Sequence, residues 1–149
     1  MDDKRERLNV LLVEDSEDDR FFFRHAFERA DCDASLFTVQ DGIEAIEFLK
    51  TQARVGDRAG FPDFIFLDLK MPECDGFDVL RWMKDNSVLE LTKVFVLSGS
   101  SEPQDIQLAK ELGACEYLVK PVRFNLLRQI LRGEAISLPG TSSDGSMAA

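Results

Sequence analysis

Five side chains of this 149-residue sequence combine into a set of parts for phosphoryl chemistry: Glu14, Asp15, Asp68, Ser98 and Lys120. Each follows a short apolar run, Val10 to Val13, Phe64 to Leu67, Val94 to Leu97, or Tyr117 to Val119. Carboxylates gathered at one place repel one another unless a cation joins them. All-oxygen donors select a hard ion, and Mg²⁺ is the usual choice where few carboxylates and several waters are involved. An aspartate beside such an ion is a nucleophile for phosphoryl transfer. Lys120 supplies a point charge for a phosphoryl oxygen, and the Ser98 hydroxyl and Gly99 amide supply hydrogen-bond donors. A lone aspartate after a strand is ordinarily a helix cap or a solvated turn residue. The repetition at four run ends points instead to an aspartyl-phosphate site on Asp68.

The elements that must position these groups alternate regularly. Runs at 9–13, 35–39, 64–67, 93–97 and 116–119 read as strands, the third of them buried on both faces. Between them the apolar spacing changes to that of helices. Ser16 caps the first helix, with Asp19 completing a capping-box pattern, and Phe22, Phe23, Ala26, Phe27 and Ala30 form its inner face. Ile43, Ile46 and Leu49, flanked by Ala45 and Phe48, follow the Asp41-Gly42 turn. Phe77, Leu80 and Met83 follow Asp75-Gly76. Ser101 is the expected cap of a fourth helix with Pro103 in its first turn, carrying Ile106, Ala109 and Leu112 to a stop at Gly113. Leu126, Leu127, Ile130 and Leu131 belong to a fifth, ended by Gly133. Residues 54–62 read as a loop, and His25 as a surface or packing residue. Five strands alternating with five helices predict an α/β fold with a parallel sheet covered on both faces, joined by right-handed crossovers. In such sheets ligands bind at the carboxyl ends of the strands, where all five side chains fall.

Composition narrows the function. The formal net charge of −10 argues against a nucleic-acid binder, which needs a basic stripe. Cys32, Cys74 and Cys115 form no ligand pattern and suit a reducing cytosol. The first eight residues lack the apolar core of a signal peptide, and no apolar run approaches the ~20 residues that span a bilayer. The expectation is a cytoplasmic protein with no nucleic-acid or membrane partner.

Val13-Glu14-Asp15-Ser16, Leu67 to Pro72 with Asp75-Gly76, Leu97-Ser98-Gly99, and Tyr117 to Pro121 occur in an order and spacing that resembles a two-component response regulator receiver domain. The resemblance covers roughly residues 8 to 132. It implies a flavodoxin-like fold with strand order 2-1-3-4-5. It implies that Asp68 accepts a phosphoryl group from a histidine kinase or phosphotransfer protein. It further implies that Asp15, Asp68 and the Lys70 backbone carbonyl ligate Mg²⁺, with Glu14 acting through a water. Ser98 and Tyr117 become a switch pair, and Lys120, with Ser98 and Gly99, holds the phosphoryl group. Lys70 departs from the usual pattern, and its side chain is expected to reach the site mouth. The domain division expected is an extension at 1–7, a receiver at 8–133 and a flexible tail at 134–149. With no output domain in view, the chain reads as a stand-alone switch rather than an enzyme. The lengthened loop before the third strand is similar to that of regulators paired with bacterial phytochromes.

Two other classes fit less well. A phosphohydrolase of the haloacid-dehalogenase type resembles Asp-x-Asp, and here Leu69-Lys70 follow Asp68. A flavin carrier needs a phosphate-cradling first loop, where Glu14-Asp15 would repel the phosphate. The expected output route is that Ser98 moves toward the phosphoryl group, the Tyr117 ring turns inward behind it, and the exterior changes near Gln107, Lys110 and Glu116. The surface of the fourth helix, fifth strand and fifth helix then meets a target or a second copy of the chain.

Overall fold

The computed structural model describes residues 7–55 and 60–136. The expectations for residues 1–6 and 137–149, and the middle of the 54–62 loop, lie outside the described residues. The chain runs β1 (Leu8–Val13), α1 (Glu17–Ala30), β2 (Ala34–Val39), α2 (Gly42–Val55), β3 (Phe64–Asp68), α3 (Gly76–Asp85), β4 (Lys93–Ser98), α4 (Pro103–Glu111), β5 (Glu116–Val119) and α5 (Phe124–Leu131). A 3-10 turn, Val88–Glu90, precedes β4. The strands form one parallel sheet in the order β2-β1-β3-β4-β5. This is the flavodoxin-like arrangement that the family resemblance implied.

The pleat divides the core in two. Successive side chains of a strand point to opposite faces. Leu11, Val13, Ile65, Leu67, Val94, Val96 and Tyr117 face α2, α3 and α4, where Leu49, Leu80, Met83 and Ala109 complete one cluster. Val10, Leu12, Phe64, Phe66, Phe95, Leu97 and Leu118 face α1 and α5, packing on Phe23, Ala26, Leu127 and Ile130. The rings of Phe66 and Phe95 stack at 5.4 Å, and Phe23 lies 5.0 Å from Phe66. All five residues of β3 are buried, which explains its unbroken apolar run.

Three local expectations are corrected. Phe22 and Ile43 are 57% and 52% exposed, because the buried stripes run through Phe23, Ala26 and Ala30 on α1 and through Ala45 and Leu49 on α2. The N-cap of α4 is Glu102 rather than Ser101, and it makes no side-chain capping bond. Pro103 fixes that boundary, since it fits only the first turn. The tail expected from Glu134 is still attached at its start: the Glu134 N–H donates to the Gln129 carbonyl, and Ile136 packs on the α1–α5 core.

The candidate aspartyl-phosphate site

Four strand ends build the site. The Ser16 hydroxyl caps α1 by accepting the Asp19 N–H at 3.2 Å, which turns the chain sharply after β1 and leaves Glu14 and Asp15 at the sheet edge. Glu14 and Asp68 are almost fully buried, while Asp15 is exposed. After β3 the chain turns through Met71-Pro72 to α3, which a full capping box between Asp75 and Asp78 starts. Gly76 packs so closely on the end of β3 that a Cβ there would collide with the Asp68 carbonyl oxygen. Ser98 ends β4, and the Lys120-Pro121 bond that follows β5 is cis.

Lys120 joins these ends. Its Nζ lies 2.9 Å from Glu14 Oε1, 3.1 Å from Asp68 Oδ1 and 2.8 Å from Asp19 Oδ2. Carboxylate oxygens of Glu14, Asp15 and Asp68 all lie within 4.8 Å of one another. Burial pushes the Glu14 carboxyl up to about 7, against the opposing hydrogen bond from Lys120. Burial also raises Asp68, more than the Lys120 charge and hydrogen bond and the Lys70 N–H lower it. For Lys120, burial pulls down, but the hydrogen bonds to Asp19 and Glu14 and the Asp68 charge prevail and raise it. Two crowded carboxylates whose burial works against ionisation, with a third beside them, form a hard-oxygen donor set that suits a divalent cation. A cavity of about 540 Å³ opens from this cluster between α1 and the β5–α5 turn, walled by Phe22, Phe23, Val122 and Phe124.

Residues 10–132 match the response regulator receiver domain family. The chain belongs to that family. The receiver is 32% identical over 136 residues to the response regulator Rcp1 of Synechocystis, covering 87% of this chain and 92% of Rcp1. The structure of Mn²⁺-bound Rcp1 superposes with a TM-score of 0.68 at 31% identity, covering 89% of this chain and 99% of that one. That of the bacteriophytochrome response regulator AtBRR superposes with a TM-score of 0.72 at 31% identity, over 91% and 99% of the two chains. The phytochrome-associated kind is therefore the branch that this receiver resembles. It also matches a probable cyclic di-GMP phosphodiesterase of Vibrio cholerae at 34% identity over 120 residues, which are 80% of this chain and 24% of that protein. Among the described residues no helix is long and apolar enough to cross a membrane.

The receiver brings Glu14, Asp15, Asp68 and Lys120 together as expected and places Ser98 one strand away. Ser98 is buried, and its Oγ accepts the Ser100 N–H at 3.2 Å. Gly99 beside it is exposed. Tyr117 does not wait outside: its ring is already buried, and its hydroxyl donates to the Ser100 carbonyl at 2.9 Å. The Lys70 side chain does not cover the site either. It is 68% exposed and leans toward α4, with Nζ 4.0 Å from Asp105 Oδ2. Two participants escaped the sequence reading. Asp19, assigned only to capping, turns its carboxylate to Lys120, a contact made by the approach of β5 to α1. Ser100 engages both Ser98 and Tyr117 through its backbone, which no side-chain pattern reveals.

Proposed function

We propose that this receiver is a phosphorylatable signalling switch whose phosphoacceptor is Asp68. The observation that carries the reading is a buried carboxylate at the carboxyl edge of the central strand, 3.1 Å from the Lys120 ammonium, with Glu14 and Asp15 oxygens beside it. An Asp68 oxygen attacks the phosphorus of a phosphohistidine on a histidine kinase or phosphotransfer protein. The P–N bond breaks, its electron pair stays on the imidazole nitrogen, and Asp68 becomes an acyl phosphate. Lys120 donates to a phosphoryl oxygen, and the Ser98 hydroxyl and Gly99 N–H offer further donors. Water later attacks the phosphorus, breaking the P–O bond to release inorganic phosphate and restore the carboxylate. Asp15, Asp68 and the Lys70 carbonyl would hold Mg²⁺, with Glu14 reaching it through water; the ion, when bound, offsets charge on the transferring group.

Residues 8–133 act as the unit, cytoplasmic and without catalytic output of their own. Signalling runs through Ser98 and Tyr117 to the face of α4, β5 and α5, where a protein target or a second copy docks. A partner that prefers the phosphorylated form of that face also favours phosphorylation to the same degree. The test is labelling by acetyl phosphate with Mg²⁺. The parent should carry an acid-stable, base-labile phosphoryl group, and Asp68→Asn should carry none while keeping its fold. Undiminished labelling of Asp68→Asn would overturn the assignment.

A further inference from the structure

An ammonium has three N–H bonds, and Lys120 directs all of them at carboxylates. Two of those acceptors, Glu14 and Asp68, have side chains only 2% and 4% exposed, whereas the Asp19 side chain is 38% exposed. The Asp19 contact is also the shortest, at 2.8 Å. When Asp68 carries a phosphoryl group, the N–H that held its carboxylate passes to one of the new oxygens, and a second N–H reaches them only by leaving Glu14 or Asp19. Releasing Glu14 would leave a buried charge without its cation, the more costly exchange. Releasing Asp19 leaves a carboxylate that water can reach, in the first turn of α1, where the helix dipole favours an anion.

We propose that Asp19 is a positioning residue that holds the Lys120 ammonium and competes with the phosphoryl group for it. Asp19 thereby sets how strongly Lys120 contributes to phosphoryl binding. The inference rests on Asp68 being the phosphoacceptor. The cap of α1 does not depend on the Asp19 carboxylate, because Ser16 Oγ accepts from the Asp19 backbone N–H. Asp19→Asn therefore removes the competitor without uncapping the helix. Asp18 is its control: an exposed acid on the same helical turn.

The experiment is a beryllofluoride titration at fixed Mg²⁺, followed by amide signals near Asp68. Asp19→Asn should bind about two- to fivefold more tightly than the parent, the weight of a half-exposed ion pair. Asp19→Glu should return to the parent affinity, and Asp18→Asn should change it by less than half as much as Asp19→Asn. Equal or weaker binding by Asp19→Asn, or an equal gain from Asp18→Asn, overturns the inference alone. A parent that binds no beryllofluoride, or an Asp68→Asn variant that binds like the parent, overturns the phosphoacceptor reading and this inference with it.

Discussion

Without metal, the receiver should lose stability as the pH rises from 5.5 to 7.5, the reverse of ordinary acid denaturation. Glu14 holds its proton up to about pH 7 when folded, against an ordinary 4.5. Between those values the native protein binds more protons than the unfolded chain, so each step up in pH favours unfolding. The stability that protonated Glu14 contributes is fully present below 4.5 and gone above about 7. At ~1.4 kcal/mol per pH unit the whole loss is about 3 kcal/mol, of which about 2 kcal/mol falls between pH 5.5 and 7.5, and Asp68, also raised by burial, adds to it with the same sign. For a domain of this size that is about 5–8 °C in Tm across the assay window. The assay is thermal unfolding in EDTA at half-unit pH steps, for the parent and Glu14→Gln. Glu14→Gln should flatten the slope by more than half and melt above the parent at pH 7.5. If Mg²⁺ binds the ionised oxygens as proposed, saturating Mg²⁺ should abolish the parent's slope; at one hundred times its Kd it would add about 2.7 kcal/mol. A Tm in EDTA that is flat or rises across this window, or an unchanged slope in Glu14→Gln, would refute the reasoning.

Asp15 is exposed, so Asp15→Asn should move the metal-free Tm by less than about 2 °C yet remove the Mg²⁺-dependent rise; an equal Mg²⁺ response in both proteins would contradict its role as a ligand. Gly76→Ala should destabilise by about 1–3 kcal/mol through its collision with the β3 backbone, read as a shifted denaturant midpoint, and an unchanged midpoint would count against that close approach. Lys70→Ala should change the lifetime of the phosphorylated form by less than about twofold, since an exposed pair with Asp105 is worth little; a larger change, measured by phosphate release, would place the lysine over the phosphoryl group after all. Ser98→Ala should leave Asp68 open to phosphorylation but weaken the beryllofluoride-induced shifts at residues 98–117. Shifts equal to the parent's would remove Ser98 from the output route.

Most of the fold was legible because the central strands β1, β3 and β4 are covered on both sides, so each carries an uninterrupted apolar run between punctuating Gly, Pro and Asp residues, while the edge strand β2 mixes Ser35 and Thr38 into its run. Side-chain destinations were less legible. Phe22 and Ile43 sit at helical spacing, yet spacing alone does not choose between a stripe through Phe22 and one through Phe23. Asp19 fitted a capping pattern so well that nothing in the sequence called for a second partner, and only the approach of β5 to α1 supplies one. The Ser101 cap was misread by one residue because the Pro103 ring, not a hydroxyl, sets the start of α4. Tyr117 shows the limit most directly. Its position on β5 follows from periodicity, but which way its ring points depends on the backbone carbonyl of Ser100, sixteen residues before the strand begins.

The alternation that splits the core also separates two conversations that the molecule holds. Glu14, Asp68 and Lys120 continue the strand positions that look toward α1 and α5, while Ser98 and Tyr117 belong to those that look toward α4. Under the proposed function, a message written on Asp68 would thus be received on one side of the sheet and read from the other. Substitutions on α1 leave the packing behind Tyr117 untouched, and substitutions on α4 leave the grip of Lys120 intact. The sheet stands between the two sides as a wall with a single shared opening, so a change on one side need not be answered on the other.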